Sequence, residues 1–215
     1  MADRATLPRS DRANTVPSTE VAESPFHAKG MLWMGIRAFM EAKVPGGVAA
    51  VSAELSPRIR EFLTQMFLPT AFYDLMPILS IAQAAGTVLK VDKLEYVKRS
   101  AVWHAEQDMT GVYKAMLAMD SPIAVCRRFG SIHQQIYDFG KAQIVREDTN
   151  RVDSLATGIP EPLAWWWKRA SEHYVCTVLR GAGAKSPRTV WQANQPDGSR
   201  EGVPLVRIPS YSAWA

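Results

Sequence analysis

Residues 160–179 read PEPLAWWWKRASEHYVCTVL, and this stretch decides the fold. Pro160 and Pro162 suit the first turn of a helix, where a missing N–H costs nothing, and Glu161 complements the positive end of the helix dipole. At about 100° per residue, Leu163, Trp166, Trp167, Ala170, Tyr174, Thr177 and Val178 share one broad face. Trp165, Arg169, Glu172 and Cys176 take the other. Three consecutive tryptophans sweep about 200° of the circumference, so one core face cannot hold them all, and Trp165 is the surplus ring. Two fates are open to it. Another segment, or Arg169 stacked one turn on, covers it; or Trp165, with Arg169 and Trp166 beside it, anchors a ligand or a partner. Gly181 and Gly183 end the helix.

On either side of this helix the period changes to two. KAQIVRED (141–148) and NRVDSLATG (150–158) predict two strands with Asp148-Thr149-Asn150 as the turn. RTVWQANQPDGSREGVPLVRIPSY (188–211) predicts two more around Pro196-Asp197-Gly198. The earlier chain reads as helices. HAKGMLWMGIRAFMEAKV (27–44) carries Leu32, Ile36, Phe39 and Met40 in helical spacing and is stopped by Pro45-Gly46-Gly47. A short helix follows to Leu55, then one from Ser56-Pro57 through Met66, an aromatic turn over 67–73, and a buried helix over 74–89. Asp92 with Glu95 forms a capping box for a long helix to about Met119, and Ser121-Pro122 starts another that ends near Phe139-Gly140. The class is α+β, an N-terminal helical bundle packed on a small C-terminal antiparallel sheet with a crossing helix, β-β-α-β-β. Residues 1–24 are polar and aperiodic and read as a flexible N-terminal tail; residues 25–215 read as a single domain.

Composition narrows the function. The 215 residues are 47% apolar with a net charge of +4, and the basic pairs are interrupted by acids, so no polybasic run argues for nucleic acid. No apolar leader opens the chain, and the longest apolar stretch, 67–89, is broken by Pro69, Asp74 and Pro77, which argues against a membrane span. Cys126 and Cys176 make neither a disulfide framework nor a metal motif, and a cytoplasmic location follows. His27, His104, His133 and His173 form no metal-ligating pair. A nucleophile elbow and a glycine-rich phosphate loop are both missing. Glu106 and Asp108 read as solvent-facing acids of the long helix, and Asp138 as a holder of backbone N–H groups in the turn before the first strand. The expectation is no catalytic residue, no metal and no enzyme.

Residues 109–140, MTGVYKAMLAMDSPIAVCRRFGSIHQQIYDFG, carry a family resemblance. An acidic helix, Gly-Val-Tyr, a Ser-Pro start and a closing Tyr-Asp-Phe-Gly resemble a paralogous family of uncharacterised myxobacterial proteins, over residues 26–209. That family is similar in architecture to haem–nitric-oxide-binding domains, vinyl-reductase-type small-ligand domains and the adaptor subunits of vesicle-tethering complexes. The resemblance implies a cavity between helices and sheet, and ligand sensing or assembly rather than catalysis. Were haem bound, His104, on the apolar arc of the long helix, is the axial candidate ahead of His133 and His173. The Tyr-x-Ser-x-Arg clamp of the haem–nitric-oxide-binding group has no match, so no cofactor is expected. The function expected is a non-catalytic regulatory or scaffold protein acting through a protein partner, a second copy included. The alternative is a sensor of a small hydrophobic molecule or haem, with a pocket mostly apolar as such pockets are.

Overall fold

The computed structural model describes residues 24–111, 114 and 121–215. The expected tail lies outside the described residues except for Ser24, which is buried. The expected run of the long helix from residue 112 to Met119 also lies outside them, apart from residue 114.

The N-terminal half is β1 (His27–Lys29), α1 (Gly30–Lys43), α2 (Gly47–Ala53), α3 (Pro57–Thr64), β2 (Phe72–Asp74), α4 (Ile78–Leu89) and α5 (Lys93–Thr110). The helix expected from His27 starts three residues later, because His27–Lys29 pairs antiparallel with Phe72–Asp74. A three-residue strand is too short to show a period. The helix expected from Asp74 likewise starts at Ile78, since the Asp74 carboxylate is turned back onto the Met76 N–H at 2.9 Å. Asp92 caps α5 by accepting from the Leu94 and Glu95 N–H groups. Glu95 does not return the bond and instead meets Lys98 and Arg99. Apolar faces converge on Trp33, fully buried and edge-on to Phe62 at 4.9 Å, with Phe67 stacked beyond.

The C-terminal half is α6 (Pro122–Ile136), β3 (Lys141–Asp148), β4 (Arg151–Pro160), a 3-10 turn (Glu161–Leu163), α7 (Ala164–Gly181), β5 (Arg188–Trp191), β6 (Gln195–Arg200) and β7 (Val203–Ala213). The class is α+β as expected, with an antiparallel sheet in the order β3-β4-β7-β5 and β6 also on β7. The last segment therefore makes three strands where two were expected. Pro196-Asp197-Gly198 is not the hairpin turn. Glu201 and Gly202, both at positive φ, turn the chain between β6 and β7. Residues 196–198 instead lie where the β6–β7 register shifts, opposite the irregularity after Ala156 in β4. The Asp197 carboxylate accepts from the Gly158 N–H at 2.7 Å and ties the two irregularities together.

One clamp joins the halves. Asp138, just past α6, accepts from the His27 N–H and meets His27 Nδ1, both at 2.7 Å, while the Asp138 N–H donates to the His27 carbonyl. Asp138 thus holds a backbone N–H as expected, but that of β1 and not of its own turn. α6 reaches the sheet through Gly130, where an added Cβ would stand 2.5 Å from the Ala142 carbonyl oxygen of β3. The replacement Gly130→Ala should therefore cost about 1–3 kcal/mol by overpacking, the reverse of the usual gain from alanine in a helix. A lowered urea midpoint at unchanged slope checks it.

Candidate ligand cavity

The expectation for the three tryptophans is met in part. Trp166 and Trp167 are 6% exposed. Trp165 is half-buried on the other side, and its cover is Lys93, whose Nζ stands 4.5 Å over the ring, instead of Arg169. Arg169 is turned to Glu172 and to the Leu94 carbonyl, so α7 is fastened along α5 by polar contacts from both sides.

On the sheet side the buried rings act as props. Trp167 stands edge-on to Trp191 of β5 at 5.3 Å, and Ile159, Val206 and Ile208 fill the space around the start of α7. Farther along, several inward positions of the strands are small, Ala142 on β3, Ser154 and Ala156 on β4, Ser210 and Ser212 on β7, with Ile144 and Thr189 beside them. Small side chains cannot close the gap that tryptophans hold open. The result is a cavity of about 820 Å³ walled by α1, α5, α6, α7 and the sheet.

Most of the wall is apolar, with serine, glutamine, histidine and tyrosine side chains set into it. His104 and Asp108 stand one turn apart on α5 and both line the cavity. His104 Nδ1 lies 2.7 Å from the Ser100 carbonyl. A carbonyl only accepts, so Nδ1 carries the proton and Nε2 keeps its lone pair. Nε2 is buried without a hydrogen-bond partner. The Gly35 backbone of α1 lies beside it without meeting hydrogen-bond geometry, and a Cβ at Gly35 would come within 2.8 Å of Nε2. Burial lowers the His104 pKa against the pull of the Gly35 and Ser100 backbone and of Asp108, and the ring is neutral. Two further lining residues carry buried unpartnered atoms, Tyr96 Oη and Trp191 Nε1. Buried polar atoms are normally satisfied; these three belong to residues of α5 and β5 on opposite sides of the cavity.

Asp108 departs from the sequence expectation of a solvent-facing acid. Its carboxylate accepts from Tyr174 Oη of α7 at 2.9 Å, and burial raises its pKa over the opposing pull of that bond and of His104. His133 also lines the cavity, but its Nε2 is engaged by the Phe139 carbonyl at 2.9 Å. His173 stands outside the wall, its pKa lowered to about 4 by burial and by Arg169 and Lys98. Of the expected contact residues, Trp166 lines the cavity and Trp165 and Arg169 do not. Sequence reading missed the Ser/Ala inner face, although the alternation at Ala142, Ser154, Ala156, Ser210 and Ser212 was there to find it. Among the described residues no cluster of His, Cys, Asp and Glu has the form of a metal site, and no helix is long and apolar enough to cross a membrane.

Neither a sequence family nor a curated relative matches the chain. Its fold does have solved counterparts. An Fe(II) unliganded H-NOX protein from K. algicida superposes with a TM-score of 0.59 at 10% identity, over 87% of this chain and 97% of that one. A structure from work on haem distortion in the H-NOX family gives 0.60 at 7% identity, over 86% and 93%. An oxygen-binding H-NOX domain related to soluble guanylate cyclases gives 0.59 at 7%, over 86% and 92%. At these identities the match speaks for the fold. It supports the resemblance to haem–nitric-oxide-binding domains, while the narrower likeness to myxobacterial paralogues finds no support. It also overturns the expectation of no cofactor, because the structures that share the fold are described as Fe(II) and haem proteins.

The histidines set the pH response. His104, His133 and His173 all have folded pKa values below the ordinary 6.5, chiefly through burial. Below about pH 6.5 the unfolded chain takes up protons that the folded chain refuses, so their contribution is complete above that pH and is lost as pH falls toward the lowered values. Asp108, raised by burial, works in the opposite sense. The urea midpoint should fall between about pH 7.5 and pH 5.5, and His133→Gln should flatten that dependence.

Proposed function

We propose that the chain is a small-ligand sensor domain that acts by binding and not by catalysis, with the cavity beneath α7 as its ligand site. The observation that carries this is the cavity itself, of ordinary ligand-site size, whose wall holds three unpartnered buried polar atoms. The fold shared with H-NOX structures supports it. The scaffold expectation rests on no comparable feature, since Trp165 is tucked under Lys93.

Haem is the ligand that the neighbours' descriptions name, and the residues fit it at one point. His104 is neutral, its Nδ1–H is fixed by a backbone carbonyl as metal-bound histidines commonly are, and its Nε2 lone pair is unclaimed. Nε2 faces the backbone of Gly35 so closely that a Cβ there would stand 2.8 Å away, and a metal at Nε2 would require α1 to draw back from α5. The one guanidinium in the wall, Arg127 at the exposed rim, is already held by the Glu147 carboxylate, so the described lining offers the haem carboxylates no unpaired cation. Bound there, haem would supply an iron centre able to take a diatomic gas; the chain's part is to hold the imidazole in one tautomer and to keep the pocket dry.

Haemin titration with absorbance detection tests this. The expected result is a Soret band saturating at one equivalent, and at least about a tenfold loss of affinity in His104→Ala. No band, or a band indifferent to that replacement, would remove haem. Native mass spectrometry of freshly purified protein then decides the broader reading. A stoichiometric extra mass keeps the sensor, and a clean apo mass that no small molecule alters removes it.

A further inference from the structure

The haem reading leaves Asp108 unused, and the charges around the cavity make it conspicuous. Three charged side chains line the wall: Asp108, Arg127 and Glu147. Arg127 of α6 and Glu147 of β3 close on each other, with Nη2 to Oε2 at 2.6 Å and Nε to Oε1 at 3.0 Å. They cancel at the rim. Every other lining residue of α1, α5, α6, α7 and the sheet is neutral, the histidines included when their pKa values are lowered by burial. What remains is one carboxyl group on an otherwise uncharged wall, and no lysine or arginine pairs with it among the described residues. The ring that bonds it, Tyr174, stands edge-on to Phe129, also in the wall, at 6.3 Å.

A carboxylate beside aromatic rings in a partly desolvated pocket is the chemistry that recognises an organic cation: the acid supplies the countercharge and the rings an apolar, polarisable surround. The same carboxylate repels an anion. Resting on the reading of this cavity as a ligand site, we propose that its ligand class includes a protonated amine carried on a flat apolar body, with the ammonium seated on Asp108 beside Tyr174 and Phe129. The body would lie along the Ser/Ala floor under Trp166, and the ammonium N–H groups would replace water around a carboxylate that now has one protein donor.

Three probes of nearly equal shape test it by calorimetry on the whole chain: pyrenemethylamine, pyrenemethanol and pyrenecarboxylic acid. The amine should bind at least about tenfold more tightly than the alcohol, and the acid weakest. The isosteric Asp108→Asn should level amine and alcohol while leaving alcohol binding in place, which also shows that the variant is folded. Tyr174→Phe, which keeps the carboxylate, should retain the preference for the amine. Equal binding of amine and acid, or an amine preference that survives in Asp108→Asn, overturns the proposal. Haemin binding with no response to any pyrene overturns it and leaves the sensor reading standing. No binding by the pyrenes or by haemin sinks this inference and the haem version, and a clean apo mass that no small molecule alters sinks the sensor reading with them.

Discussion

The arrangement depends on a mismatch of side-chain size between α7 and the sheet beneath it. Trp166 and Trp167 are too large to let the start of the helix settle closer than their rings allow, and Trp167 meets Trp191 edge-on at 5.3 Å. Several strand positions farther along offer serine and alanine, which cannot reach across the gap so created. A protein interior ordinarily closes such gaps, because an unfilled surface forfeits its dispersion contacts. Here the helix is held in place by its contacts along α5 on the far side, with Lys93 on Trp165 and Tyr174 on Asp108 among them. The hollow is what is left when three rigid borders are set and the fourth is lined with small residues.

The same arrangement explains the condition of His104. Its position on α5 places the ring between the cavity and α1, and only a glycine at 35 leaves room for it. The Ser100 carbonyl, one turn back, fixes the tautomer. Burial keeps the ring neutral, and no neighbouring side chain takes up its second nitrogen. An orphaned lone pair of this kind is costly unless it is used, and that asymmetry separates His104 from His133, whose Nε2 is satisfied by Phe139.

Much of the fold was legible because it rests on local rules. The β-period on either side of the helix and the turn at 148–150 placed the sheet and its crossing helix, although Pro160 ends β4 and Pro162 lies in the 3-10 turn, so the α-helix starts only at Ala164. The failures have physical causes of two kinds. Some elements are too short to show a period, as with β1 and β2, each of three residues. Others depend on a partner distant in sequence. Pro196-Asp197-Gly198 has the composition of a turn, yet Asp197 is recruited by a backbone N–H thirty-nine residues earlier, at Gly158. Asp108 fails in the same way, since only the folded arrangement brings Tyr174, sixty-six residues later, to its carboxylate. Of the candidate site, His104 was legible from its place on an apolar arc, whereas the cavity needed the strands and helix to be placed together.

The sheet's outer border has a consequence of its own. β3 is the terminal strand on one side, eight residues long, and among the described residues it pairs only with β4. A strand of that length with a free row of amide and carbonyl groups is a template on which another chain's strand can dock. Lys141, Arg146, Glu147 and Asp148 stud it with exposed charge of both signs, and its register slips after Ile144. Both features work against strand-to-strand stacking between molecules, so this border is guarded by its own side chains.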